Sequence, residues 1–122
     1  MNATTYRLVR VVKNSTSTIN AIVDTKVYRN DVGNHVKTEL RNTLNELSHY
    51  MDEYSKGKLS CFEIHSDIVD TRLKLSELSD CITDKVFMDD PYLLLTRTVF
   101  DSITTLRQIL YILMAQIAMN EL

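Results

Sequence analysis

The chain has 122 residues, 44% of them hydrophobic and 25% charged, with two glycines, one proline and a formal charge of −2. That length supports one core, so residues 1–122 are expected to form a single helical domain, which excludes a two-domain enzyme. Turn formers are too few for a sandwich or barrel of short strands, glycines too few for a phosphate-cradling loop, and the balance of charge gives no general attraction for nucleic acid or anionic lipid.

In chain order, Leu8, Val12, Ser15, Ile19 and Ile22 recur at 4-3-4-3 spacing and predict a helix from Thr4 to Tyr28. The segment Arg29-Asn30-Asp31-Val32-Gly33-Asn34 is expected to be a loop, because Asn, Asp and Gly suit a chain reversal. A second helix is predicted from His35 to Lys56, burying Val36, Leu40, Leu44, Leu47, Met51 and Tyr54 and stopping at Gly57. Ser60-Cys61-Phe62-Glu63 has the capping-box pattern, so a third helix should begin at Cys61 and run to about Val86 with Ile64, Ile68, Leu75, Leu78 and Ile82 inward. Asp90-Pro91 suits the start of a fourth, extending to Asn120 along the seam Leu95, Val99, Ile103, Leu106, Leu110, Leu113 and Ile117. Four helices joined by short loops define an all-α, up-down-up-down four-helix bundle.

Four candidate features stand out on these helices. Glu63, Asp67, Asp70, Glu77 and Asp84 form an acidic face on helix three, expected opposite its apolar stripe and in solvent. Arg7, Arg10 and Lys13 form a basic patch on helix one. Charge also differs between halves: residues 1–60 hold nine Lys/Arg and six Asp/Glu, and residues 61–122 hold five and ten. Beyond Leu106 the fourth helix is apolar nearly all round, which leaves Ile109, Ile112 and Met119 as interface candidates because one neighbouring face cannot cover them.

No catalytic, cofactor-binding or metal-ligating residue is assigned. The carboxylates come from one helix, Glu77-x-x-Asp80 is half of a two-helix magnesium motif, and Arg29 and His35 are separated by the predicted loop. His49 and His65 have no Cys or second His at ligand spacing. Cys61 and Cys81, on one predicted helix, would lie roughly 30 Å apart, too far for a disulfide. The sequence points to a non-enzymatic interaction protein of the regulator, inhibitor, immunity-protein or secretion-chaperone kind, partnered by itself as a homodimer and by another protein. The alternatives are a nucleic-acid-associated regulator using the basic first helix and a metal-dependent helical hydrolase. No signal-peptide pattern opens the chain, and the apolar run Ile109–Ala118 is short for a membrane span, so a cytoplasmic protein is expected. Richness in Asn, Thr, Ser, Ile and Tyr suggests an AT-rich coding source such as a phage, a virus or a horizontally acquired island.

Overall fold

The computed structural model describes residues 1–25, 31–82 and 93–120. They form α1 (Ala3–Asp24), α2 (Asp31–Ser55), α3 (Cys61–Cys81) and α4 (Leu93–Asn120), with no strand among the described residues. Consecutive helices pack side by side and α4 closes back onto α1, giving the up-down-up-down four-helix bundle. The clasps between α1 and α2 show the antiparallel register directly: Lys13 pairs with Asp52, Asn20 hydrogen-bonds Asn45 at 3.0 Å, and Asp24 meets Arg41 at 2.9 Å. Every step up α1 is matched by an equal step down α2.

The helix ends follow local chemistry. Asn2 accepts from the Thr5 amide at 2.9 Å and Ser60 from the Glu63 amide at 3.1 Å, each satisfying a donor the first turn leaves open. Beyond α2, Gly57 takes φ +74, its amide donates to the Tyr54 carbonyl and that of Lys58 to the Glu53 carbonyl, which is a Schellman closure. The expected loop at Asp31–Asn34 is instead the first turn of α2. Gly33 is buried there, and a glycine costs a helix only about 1 kcal/mol relative to alanine, too little to exclude it from a first turn. His35 therefore lies within α2 rather than at its start. Arg29, the Asp90-Pro91 start and Leu95's packing lie outside the described residues and side chains.

The predicted stripes of α2 and α3 are buried throughout, as are Val99 to Ile117 of the α4 seam. On α1 the buried line is Thr5, Val9, Val12, Thr16, Ile19 and Val23, while Leu8, Ser15 and Ile22 are half-buried at its edge. The expected stripe was thus rotated by one flank, because threonine stands inward at two positions. Threonine is tolerated inside where its hydroxyl bonds its own helix. Thr16, Thr43 and Thr71 donate to the carbonyls of Lys13, Glu39 and Asp67 at 2.7, 2.8 and 2.8 Å. Cys61 opens α3 and Cys81 ends it, so the two thiols are held roughly a helix length apart, about 30 Å.

Candidate functional site

α4 has two unlike sides. Ile103, Leu106, Leu110, Leu113 and Ile117 are sealed in the bundle, whereas Tyr111, Ile112 and Met119 are 58%, 50% and 77% exposed. Of the three expected interface residues, Ile112 and Met119 stand in solvent and Ile109 is half-buried against the core. Tyr111 joins the exposed set. Its ring lies under the Arg72 guanidinium of α3, 5.1 Å from the centroid, and Arg72 Nε also donates to the Arg107 carbonyl at 3.2 Å. That clasp was not foreseen, since it joins residues 39 apart in the chain with no local motif between them. The segment Arg97–Asn120 is long and apolar enough by length and composition to cross a membrane; here its inner seam is the wall of the bundle core.

The acidic residues of α3 run along a flank of the helix, three of them in solvent as expected, rather than squarely opposite its core stripe. Asp67 and Asp70 turn toward α2, where with Glu39, Glu46, Tyr50 and Lys74 they line a groove of about 380 Å³. At 3.6 residues per turn, positions 63, 67, 70, 74 and 77 are a flank, and the outermost line is Phe62, Ser66, Val69 and Leu73. Phe62 and Leu73 are 75% and 61% exposed, an apolar surface that the acidic pattern concealed. Glu63, Asp70 and Glu77 are exposed, Asp67 is half-buried, and Asp84 lies outside the described residues. Burial raises the Asp67 carboxyl above its usual range, helped by repulsion from Asp70 and Glu63. The Tyr50 phenol is raised by burial and by Glu46, Asp67 and Asp70. Lys74 pairs with Glu39 at 3.2 Å and partly neutralises the groove. Among the described residues no group of three or more His, Cys, Asp or Glu is arranged to hold a metal ion.

The basic patch is divided. Arg7 and Arg10 are exposed on α1, but Lys13 is half-buried and tied to Asp52. Within the four described helices charge separates more sharply by layer than by chain half: α1 and α4 carry five Lys/Arg and two Asp/Glu, while α2 and α3 carry four and ten. The layers fold together helices from opposite ends of the chain, which is why halving the sequence blurs them. Between α1 and α4 runs a further groove of about 470 Å³, walled by Val11, Ser15, Thr18, Thr98, Ser102 and Thr105 among others. Comparison with protein-family models, characterised proteins and solved structures returned no match.

Proposed function

We propose that the protein is a small, non-enzymatic interaction module of the regulator, inhibitor, immunity-protein or secretion-chaperone type, docking through the solvent face of α4 and self-associating as a homodimer in the cytoplasm. The observation that carries this reading is the exposure of Tyr111, Ile112 and Met119 on a helix whose other side already fills the core. Contiguous apolar surface of more than a few hundred Å² is uncommon on soluble monomers and marks an interaction site. A bundle seam already occupied by Val99, Ile103 and Leu106 supports a soluble protein over a span by α4. The engagement of Lys13 by Asp52 leaves a nucleic-acid reading with two exposed arginines on α1, too thin a basic surface to favour it.

Light scattering across a concentration series, with far-UV dichroism as a control for folding, tests the reading on wild type and Ile112→Glu. The expected result is a dimer for wild type and a folded monomer for the variant, because a glutamate placed in a desolvated apolar contact has no partner charge. A wild type that remains monomeric at high micromolar concentration would remove the main support.

A further inference from the structure

The outward face of α4 is built to meet its own copy, and we infer that two chains pair there antiparallel about a two-fold axis at Ala115. The inference rests on the docking reading above and adds the occupant and its geometry. From Gln108 to Asn120 the helix has no charged residue. At about 100° per residue, Ala115 is the midpoint of the outward arc, with Tyr111 and Ala118 on the α3 side and Ile112 and Met119 on the α1 side. Arg72 over the Tyr111 ring fixes the α3 side, and Thr105, one heptad before Ile112, lines the groove with α1 and fixes the other.

An antiparallel two-fold keeps each side facing the same side of the copy. Tyr111 then meets Ala118, large against small, Ile112 meets Met119, and the small Ala115 lies on the axis where two backbones can approach closely. These three contacts are apolar, the exposed Gln108 of the same arc lies about 10 Å from the axis, and the thioether of Met119 adapts to the β-branched Ile112. A parallel pair would instead set every residue of α4 level with itself, bringing exposed Arg97 to Arg97 and exposed Asp101 to Asp101. In the antiparallel pair these two lie about 27 and 21 Å from the axis, well past a Debye length of about 8 Å. A patch of three exposed apolar side chains is smaller than the about 20–30 residues a side that make up a standard interface of roughly 800 Å² per partner, so the dimer is reversible on dilution.

Cysteine pairing reads the register in a background of Cys61→Ser and Cys81→Ser, both sites lying away from α4's outward arc. Chains bearing Ile112→Cys are mixed with differently tagged chains bearing Met119→Cys, above the concentration at which wild type dimerises, and oxidised mildly, with dichroism confirming helicity. The antiparallel pair brings position 112 within about 1.5 Å of the height of 119 of the copy and leaves the self-pairs offset by about 9 and 12 Å along the axis, beyond disulfide reach. The expected result is mixed disulfide in severalfold excess over either self-linked product, with Ala115→Cys alone linking to itself. Self-linking at 112 and 119 without mixed product, or Ala115→Cys linking without it, overturns the register and leaves docking standing. No product at any position from a monomeric wild type overturns both. A monomer that cosediments with phosphatidylcholine–phosphatidylserine vesicles assigns the face to lipid and overturns the self-pairing.

Discussion

The Arg72 guanidinium of α3 sits 5.1 Å from the centre of the Tyr111 ring of α4 while its Nε donates to the Arg107 carbonyl. One side chain thus bonds the backbone of the neighbouring helix and covers the edge of its exposed face. A cation over an exposed aromatic face is worth about 0.5–1 kcal/mol. A double-mutant cycle of Arg72→Ala and Tyr111→Leu, read by urea denaturation at a concentration where the chain is monomeric, should show a coupling of that size. Strictly additive effects would mean that the two groups do not interact in solution.

Asp67 and Asp52 respond to pH with opposite signs. The Asp67 carboxyl is raised, so its ionised form is disfavoured in the folded state and stability falls as pH rises through its folded pKa. The Asp52 carboxyl is lowered, first by the hydrogen bond with Lys13, so its contribution is present above the ordinary carboxylate value and is lost as pH falls through the lowered one. Asp67→Asn should stabilise the protein at pH 7 and lose that advantage as wild-type Asp67 protonates. Asp52→Asn should destabilise it at pH 7 by no more than about 1 kcal/mol, since the pair is solvent-screened, and become neutral in acid. Thermal unfolding of the three proteins between pH 3 and 7 checks both signs, and parallel curves for the two variants would refute the assignment.

The parts of the fold legible in the sequence were those carried by short-range patterns. Val36 to Tyr54 name the buried line of α2, Ser60 with Glu63 marks the start of α3, and Gly57 marks the left-handed residue after α2. Positions whose environment depends on a neighbouring helix were misread. Asp67 looks like a solvated carboxylate until α2 brings Glu46 and Tyr50 beside it, and Val9 and Val23 are hidden by the inward threonines of α1. Surplus apolarity on α4 was visible, but the division between Ile109, half-buried against the core, and Ile112, left half in water, is set by the packing of the bundle and not by spacing along α4.

Two buried threonines on α1 differ in one bond. Thr16 Oγ1 donates to Lys13 O at 2.7 Å, whereas Thr5 Oγ1 is buried with no hydrogen-bond partner among the described residues. An unsatisfied buried hydroxyl costs about 1–3 kcal/mol, and valine has nearly the same shape. Thr5→Val should therefore raise stability by about 1 kcal/mol, while Thr16→Val, which gives up a made bond, gains nothing. Chemical denaturation of the two variants decides it; an equal gain at both sites would show that the Thr5 hydroxyl finds a partner in solution.

Leu110 and Ile112 are two residues apart on the same helix and make the division of α4 measurable. Leu110 is fully buried and Ile112 is 50% exposed. Truncating a sealed core leucine removes its transfer energy and leaves a cavity, so Leu110→Ala should cost about 2–5 kcal/mol at any protein concentration. Ile112→Ala deletes surface that the monomer leaves half in water, so its cost in dilute solution should be under about 1 kcal/mol. Pairing adds a concentration dependence, because a partner that binds only the folded chain stabilises it by mass action. The melting temperature of wild type should then rise with protein concentration, that of Ile112→Ala should rise less, and that of Leu110→Ala should rise in parallel with wild type from a lower start. Melting curves at low and high micromolar concentration separate the cases. If wild type and Ile112→Ala show the same dependence, the outward face of α4 is not the contact.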